Sequence, residues 1–205
     1  MKICSEKEID ALADILKADG IISVPTDTVY GVCVRINSRE AYDKLVKAKN
    51  RPFGKSFPVV CLNKAQIEEI AIINQNAEKL IHAFMPGPLT MVLNKKPEAF
   101  SYVNNSGSRF SDELAVRIAP SKALGELIRK VGSPLFLTSA NLSGEEVCSN
   151  LEDIKKTFPT IDGILEGSVS FGRSSTIVDC TSDKIKIQRQ GPITLEAINK
   201  VLRSS

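Results

Sequence analysis

The sequence contains no tryptophan, only one histidine, and no apolar run near the roughly 20 residues that a membrane-spanning helix needs. We therefore do not expect a membrane protein. The N-terminus becomes charged before any apolar stretch could form a signal-peptide core, which predicts a cytoplasmic location. A Ser-His-Asp triad would depend on His82 alone, and the apolar residues around it favour a position on a helix face instead.

Cysteine is scattered along the chain without the close pairs of a metal or redox motif. The five cysteines are Cys4, Cys33, Cys61, Cys148 and Cys180. Their odd number and the lack of any C-x-x-C spacing argue against a zinc site. Three of them lie in apolar, strand-like stretches, where free cysteine behaves as a small buried hydrophobe in a reducing compartment. No neighbouring base marks any of them as a catalytic thiol.

Two common nucleotide-binding fingerprints are also missing. The sequence has neither the Gly-x-x-x-x-Gly-Lys-Ser/Thr loop nor the Gly-x-Gly-x-x-Gly motif, so any nucleotide is held in another way. Aromatic residues make up only 5% of the chain, which gives few stacking platforms for single-stranded RNA. The net charge of +3 is too small to identify a nucleic-acid-binding protein by itself.

The pattern of apolar residues predicts one α/β domain over residues 1–205, with no linker. Strand-like runs alternate with helical ones only in part, which favours a mixed sheet with helices on its faces. The polar segment 102–112 is expected to be a surface loop. The predicted helices are 6–18, 38–49, 64–84 with a break near Asn74, 121–131, 151–157 and 194–203; the predicted strands are 21–24, 29–34, 57–62, 89–93, 114–118, 135–138, 175–180 and 184–189.

Residues 25–31, Pro-Thr-Asp-Thr-Val-Tyr-Gly, follow the first long apolar run. Pro25 restricts the backbone, and the side-chain oxygens that follow can bond either nearby N–H groups or a ligand. The segment is therefore a plain turn between strands or part of a binding site. Asp27 suits the role of fixing the turn.

A basic segment, residues 47–55, follows the second predicted helix and contains four cations in nine residues. Arg51 and Lys55 lie on either side of Pro52, so they can converge on phosphate oxygens from a loop. The alternative is an ordinary helix C-terminus, where basic side chains offset the helix dipole.

Three more segments at strand ends contain hydroxyl, amide or guanidinium groups: residues 136–144, 171–179 and 188–193. Ligands commonly bind at such strand ends in open α/β folds. Helix caps and turns use the same residue types for local reasons, and this reading stays open. If the sheet brings these ends to one edge, they form a single polar groove.

Taken together, residues 25–31, Lys49-Asn50-Arg51-Pro52 with Lys55, 84–90, 115–120, 139–144, 175–179 and Arg189-x-Gly191 resemble the YrdC-like family of threonylcarbamoyl-adenylate synthases. The order and spacing fit along about 165 residues of the chain. The resemblance implies the short, single-domain form without an additional C-terminal domain. Its fold is a twisted mixed sheet with helices on its faces and a concave basic groove.

The resemblance also implies an activity, in which L-threonine, bicarbonate and ATP give threonylcarbamoyl-AMP and pyrophosphate for tRNA threonylcarbamoyladenosine modification. No side chain acts as a covalent nucleophile, and Mg²⁺ enters with ATP without a dedicated set of protein ligands. The implied ligands of threonine and its carbamate are Thr28, Arg117, Ser139 and Ser175. Those of ATP are Arg51, Lys55, Asn141 and Arg189, and Lys49 and Ser149 are supporting residues.

The implied partners are a separate complex that transfers the threonylcarbamoyl group to tRNA and, directly, tRNA or double-stranded RNA. The competing hypothesis is a non-catalytic RNA-binding module of the same fold. Three positions depart from the family pattern: Ser56 and Val60 replace residues of a Lys-Pro-Leu and histidine segment, and Glu113 replaces a frequent threonine. These departures leave room for altered substrate handling.

Overall fold

A single mixed sheet organises the part of the chain that the computed structural model describes, which is residues 1–51, 57–99 and 112–203. Its eleven strands are β1 Lys2–Cys4, β2 Ile22–Pro25, β3 Tyr30–Arg35, β4 Val59–Cys61, β5 Ala71–Ile72, β6 Leu89–Lys95, β7 Glu113–Ile118, β8 Leu135–Ser139, β9 Gly163–Leu165, β10 Thr176–Asp179 and β11 Lys186–Arg189. The helices of the same residues are α1 Ile9–Lys17, α2 Arg39–Ala48, α3 Lys64–Ile70, α4 Gln75–Phe84, α5 Lys122–Val131, α6 Leu151–Thr157 and α7 Leu195–Arg203, with a 3₁₀ turn at Glu6–Glu8.

The strand order is β1-β9-β2-β3-β8-β4-β7-β6-β10-β11, and β5 pairs with β6 beside this path. Four neighbouring pairs are parallel: β1 with β9, β9 with β2, β4 with β7, and β6 with β10. The other neighbours are antiparallel. The predicted mixed sheet is confirmed.

Short polar side chains set the beginnings of five helices. Ser38, Asn63, Asn74, Ser121 and Asn150 each accept a hydrogen bond from the backbone N–H three residues later. Such N-caps satisfy a donor that the first helical turn leaves unpaired. The predicted break near Asn74 is confirmed, because this residue caps α4 after α3 and β5 have ended.

Apolar residues pack on both faces of the sheet. The first core cluster holds the buried residues of α2, α3, α4, α6 and α7, and the second holds those of α1 and α5. Strand neighbours alternate between the two clusters, as Val59 in the first and Val60 in the second illustrate. In the described part of the chain, the second cluster takes no residue from β6, β10 or β11. This end of the sheet is therefore left uncovered by α1 and α5.

The sequence pattern missed β1, β5 and β9, which have only two or three residues each. The predicted first helix begins with the 3₁₀ turn before α1. His82 lies on a helix, α4, as predicted, and it is exposed. Among the described residues, no helix is long and apolar enough to cross a membrane. All of segment 102–112 except Asp112 lies outside the described residues, so the loop prediction stays a prediction.

Candidate functional site

A cavity of about 230 Å³ opens on the sheet face that α1 and α5 leave uncovered. Its walls come from the ends of seven strands and the segments beside them. The lining residues are Thr26, Thr28, Val29, Gly31, Arg51, Pro58, Val60, Thr90, Arg117, Leu137, Thr138, Ser139, Ser174, Ser175, Ile177 and Arg189. Six of the eight predicted ligands therefore meet at this cavity: Thr28, Arg51, Arg117, Ser139, Ser175 and Arg189.

One row of side chains crosses five adjacent strands and forms the floor of this cavity. The register of β4, β7, β6, β10 and β11 places these residues next to one another. Residues paired across strands point to the same face of a sheet, so the row faces the cavity together. In order, the row is Val60, Arg117, Thr90, Ile177 and Arg189.

The turn between β2 and β3 forms one wall, so it is both a hairpin turn and part of the site. Thr26 Oγ1 donates to the Val29 carbonyl at 2.7 Å and accepts from the Thr28 amide at 3.1 Å. The Oγ1 atoms of Thr26 and Thr28 lie 3.0 Å apart. Because Thr26 has already donated its only hydroxyl proton, Thr28 donates in this contact. The remaining lone pairs of Thr28 Oγ1 are then available to other donors.

Arg117 is held on three sides. Its Nε donates to the Gly87 carbonyl at 2.9 Å and its Nη1 to Thr28 Oγ1 at 3.2 Å, while Nη2 forms an ion pair with Asp27. Only 5% of the residue is exposed. Burial lowers the pKa of Arg117, and the charge and hydrogen bond of Asp27 act in the opposite direction. Asp27 thus anchors the arginine to the turn between β2 and β3, whose backbone is held by Thr26 Oγ1.

Arg189 and Ser175 form the opposite side of the cavity. Arg189 donates from Nε to the Ser175 carbonyl at 3.0 Å and from Nη2 to Ser175 Oγ at 3.2 Å. The Ser175 hydroxyl also lies 2.8 Å from Thr90 Oγ1. Burial and then the charge of Arg117 lower the pKa of Arg189. Two guanidinium groups therefore face one space, and an anion between them would relieve their repulsion.

Lys49 lies behind the cavity wall. Its ammonium group donates to the Ser139 carbonyl at 2.5 Å, to Asn141 Oδ1 at 2.9 Å and to the Asn141 carbonyl. Asn141 Oδ1 also accepts from Ser139 Oγ at 2.7 Å, and its Nδ2 donates to the Glu145 carbonyl at 2.8 Å. Of the lysine, the serine and the asparagine, Ser139 is the one that appears in the described lining. Burial, followed by the charge of Arg51, lowers the pKa of Lys49 to about 8.

The other predicted ligands are less uniformly placed. Arg51 lines the cavity, and its guanidinium carbon lies 4.5 Å from the centre of the Phe57 ring. Burial lowers the pKa of Arg51. Ser149 is exposed near the start of α6, where its Oγ donates to Asp153 at 2.9 Å, and it is not part of the described cavity lining. Lys55 and Ser56 lie outside the described residues.

The cavity has the character of an anion site. Its described lining carries three arginines and no carboxylate, with hydroxyl groups on several sides. Arginine keeps its charge in proteins and binds phosphate or carboxylate oxygens with two N–H groups at once. In the described part of the chain, no group of three or more His, Cys, Asp and Glu side chains is placed to hold a metal ion.

Sequence reasoning missed several lining residues. Thr90 and Ser174 were not assigned as ligands, although each belongs to a segment that the motifs included. The signal for Thr90 was its place at the start of a strand after a Pro-Gly-Pro turn. Nothing in the sequence marked Leu137 as a lining residue, because an apolar residue in a strand gives the same pattern whether it faces the core or a ligand.

Several known proteins are similar to this chain. The family model Sua5_yciO_yrdC, described as Telomere recombination, matches residues 14–191. A threonylcarbamoyl-AMP synthase of Bacillus subtilis is 30% identical over 97% of this chain and 57% of its own length. A threonylcarbamoyl-AMP synthase of Yersinia enterocolitica is 30% identical over 78% of this chain and 87% of its own.

The fold is similar to that of solved members of the same group. P. abyssi Sua5 complexed with L-threonine superposes with a TM-score of 0.90 at 28% identity, covering 98% of this chain and 61% of that one. The chain thus spans about three fifths of this relative and of the B. subtilis protein. With a family match over most of its length and relatives at this level of identity, the chain belongs to the Sua5/YciO/YrdC family.

Proposed function

We propose that this protein is an L-threonylcarbamoyladenylate synthase, a nucleotidyltransferase that converts L-threonine, bicarbonate and ATP into threonylcarbamoyl-AMP and pyrophosphate. The observation that carries the proposal is the row from Arg117 to Arg189, which places two guanidinium groups and a threonine hydroxyl on the floor of one cavity. Arg51 adds a third cation at the same cavity. The names of the similar proteins support the same reaction.

The reaction needs positioning and charge stabilisation more than side-chain chemistry. Bicarbonate gives up hydroxide as the threonine amine takes up its carbon dioxide. The proton that the nitrogen releases combines with this hydroxide to give water, and a carbamate results. A carbamate oxygen attacks the α-phosphorus of ATP, and the bond from that phosphorus to the bridging oxygen breaks, so pyrophosphate leaves. Fixed guanidinium groups offset the negative charge that both substrates bring and that builds up during transfer.

The residues divide between the two substrates. We assign Thr28, Ser139 and Arg117 to threonine and its carbamate, because they lie together beside the turn between β2 and β3. By resemblance we assign Ser175 to the same substrate, although it lies on the opposite side of the cavity beside Arg189. We assign Arg51, Arg189 and the undescribed Lys55 to the phosphates of ATP. The resemblance implies that Asn141 binds ATP. Because its side-chain atoms already form hydrogen bonds within the protein, we propose instead that Asn141 positions the Ser139 hydroxyl. Ser149 remains a supporting candidate only by resemblance.

Mg²⁺ would enter with ATP. Phosphate oxygens and water are its usual ligands when bound to a nucleotide, and it would lower the negative charge of the phosphates. The carboxylate of the turn, Asp27, forms an ion pair with Arg117, so we assign no protein ligand to Mg²⁺.

The product is a mixed anhydride that water cleaves, so we propose direct delivery to a separate complex that acts on tRNA. A cytoplasmic site agrees with the five cysteines, which are all buried and free. Binding of tRNA or double-stranded RNA by this chain without synthase activity is the alternative outcome of the test.

The test measures pyrophosphate release by the purified protein with ATP, Mg²⁺ and bicarbonate, with and without L-threonine, and with L-serine as the control substrate. Arg51→Ala should lower the rate by about 100-fold, the loss typical of a removed charge-stabilising group. Arg39→Ala is the matched control, because Arg39 is exposed on α2 and pairs with Asp43. If pyrophosphate release did not depend on threonine and the protein bound double-stranded RNA, the RNA-binding module would replace the synthase as the proposed function.

A further inference from the structure

The cavity has an apolar side that charge stabilisation does not explain. Val60 and Leu137 line it, and both belong to the core cluster beneath α1 and α5. Val60 is 2% exposed and Leu137 is 8% exposed. A site that bound only phosphates and a carboxylate would gain nothing from such a surface, since apolar contact stabilises apolar groups.

The fold fixes this surface beside Arg117. Val60 is the direct neighbour of Arg117 in the row, on the adjacent parallel strand, roughly 5 Å away. Leu137 is held by its amide, which donates to the Pro58 carbonyl at 2.9 Å. Its side chain fills the space over Gly31, where an added Cβ would come within 2.9 Å of Leu137 Cδ2. Leu137 is therefore packed against Gly31, and both apolar side chains are buried.

L-threonine and L-serine differ by one methyl group on Cβ. Their carboxylate, amine and hydroxyl groups are the same, so arginines and hydroxyls cannot distinguish them. The methyl group is separated from the carboxylate by only two carbon atoms. A carboxylate bound at Arg117 therefore places the methyl within reach of the next residue in the row.

We propose that Val60, backed by Leu137, selects L-threonine over L-serine by receiving the β-methyl group of the substrate. The inference rests on the proposed function and names the residue that sets its amino-acid specificity. Ile177 is the other apolar residue of the row, but it is two strands from Arg117, roughly 10 Å away. It lies beside Arg189, where we place the phosphates.

The test is the ratio of kcat/KM for L-threonine to kcat/KM for L-serine. A methyl group in a fitted apolar pocket is typically worth a factor of about 10 to 200. Val60→Ala should lower the ratio about fivefold or more, because the methyl loses its contact surface. The same variant should gain activity with β-hydroxynorvaline, whose ethyl group fits the enlarged space. A ratio does not depend on the folded fraction of the variant, so partial loss of stability leaves the test intact.

Two further variants decide the interpretation. Val59→Ala is the matched control, because Val59 is the preceding residue of β4 and faces the opposite core cluster; it should leave the ratio unchanged. Ile177→Val removes one carbon at the other end of the row and should also leave it unchanged. An unaltered ratio in Val60→Ala, or a larger change in Ile177→Val, would overturn this inference while threonine-dependent release by the unmodified protein still upheld the synthase. No such release would overturn both.

Discussion

Lys49 illustrates how a single buried charge can organise a site without touching a ligand. A buried ammonium group is costly unless each of its protons finds an acceptor. Lys49 meets this condition with the Ser139 carbonyl and two oxygens of Asn141. It thereby links the end of α2 to the end of β8, at the wall that carries Ser139. A change in its protonation state should be felt at the cavity.

We therefore predict that kcat/KM falls as the pH rises through about 8, the pKa to which burial lowers Lys49. The neutral amine donates two hydrogen bonds where three acceptors wait, so one oxygen loses its partner and the wall shifts. The substrate itself would act in the opposite direction, because more of the threonine amine is free at higher pH. The measurement is initial pyrophosphate release from pH 6.5 to 9.5. A pH profile of Lys49→Met that matches the profile of the unmodified protein would contradict this role, because the threonine amine affects both proteins equally.

Stability should respond to the same proton with the opposite sign. The pKa of Lys49 is about 8 in the folded protein against an ordinary 10.5, so between these values the unfolded chain holds more protons at this position. The contribution of Lys49 to the free energy of unfolding therefore increases as the pH rises through this window. Urea unfolding at pH 7 and 9.5 gives the free energy of unfolding of the unmodified protein minus that of Lys49→Met. This signed difference should be higher at pH 9.5 than at pH 7, and a lower value at pH 9.5 would refute the prediction.

The ion pair of Asp27 and Arg117 gives a second prediction at this scale. The two side chains are 16% and 6% exposed, so Asp27→Asn leaves a buried guanidinium without its countercharge. We expect a loss of about 1 to 3 kcal/mol in the free energy of unfolding, since the amide oxygen still accepts one hydrogen bond. The KM for threonine should rise more than the KM for ATP, because Thr28 shares the same arginine. Urea unfolding and steady-state kinetics measure the two effects.

The control for Asp27→Asn is Asp43→Asn. Asp43 also pairs with an arginine, Arg39, but the two side chains are 55% and 63% exposed. Exposed pairs of this kind contribute less than about 1 kcal/mol. If both substitutions had the same small effect, the buried pair would have no special part in the site.

Sequence reasoning reached the residues of the site better than their contacts. The hydroxyl-rich turn and the basic segment were visible because polar residues interrupt apolar strands there. The partner of Asp27 was not visible, since Arg117 lies 90 positions further along the chain. The inward direction of Lys49 was also hidden, because a lysine at a helix end is ordinarily solvated. Both contacts depend on the strand order, which local patterns do not contain.

At the scale of elements, the close approach of Gly191 to β10 holds the cavity wall in place. A Cβ at this position would lie 2.3 Å from the Thr176 amide nitrogen and 2.5 Å from the Ser175 carbonyl carbon. Gly191→Ala must push β10 and the Ser175 segment apart. We expect a loss of about 1 to 3 kcal/mol in stability, as for overpacked cores, together with a lower kcat/KM. Urea unfolding and pyrophosphate release measure the two losses.

A glycine in a helix gives the matched control. Gly125 lies in α5, and a Cβ there would meet Leu62 Cδ1 at an ordinary contact distance of 3.5 Å. Gly125→Ala should therefore stabilise the protein by up to about 1 kcal/mol through helix propensity, with kcat/KM unchanged. Equal effects of the two alanines would show that Gly191 has no packing role.

The elements themselves were predicted unevenly, for a physical reason. Helices with capping residues and a clear apolar stripe, such as α5, were placed within one residue. The short strands β1 and β9 were missed, because three residues cannot display a period. They exist through parallel pairing with each other and with β2, contacts that join Lys2 to Gly163 across the chain. Tertiary pairing determines these strands more than local propensity does.

At the scale of the whole molecule, the cavity depends on strands that are far apart in sequence. Its lining residues range from Thr26 to Arg189 along the sequence, and β10 and β11 complete the cavity beside β6. Thr28 follows β2 and Arg189 ends β11, so no small fragment of the sheet contains both sides of the cavity. We therefore expect ligand binding to stabilise the fold as a unit. The single domain over residues 1–205 stays a prediction, which the cooperativity of thermal unfolding tests.

The thermal midpoint of unfolding should rise with each substrate separately. A ligand at 100 times its Kd adds about 2.7 kcal/mol, and for a chain of this size each kcal/mol is worth about 2 to 4 °C. Differential scanning fluorimetry should thus show a shift of roughly 5 to 10 °C with ATP and Mg²⁺ or with L-threonine. Arg51→Ala should lose most of the ATP shift and keep the threonine shift, and Thr28→Val should do the reverse. If each variant lost both shifts equally, the division of the cavity into a phosphate side and a threonine side would be wrong, because both residues would then act on one shared site.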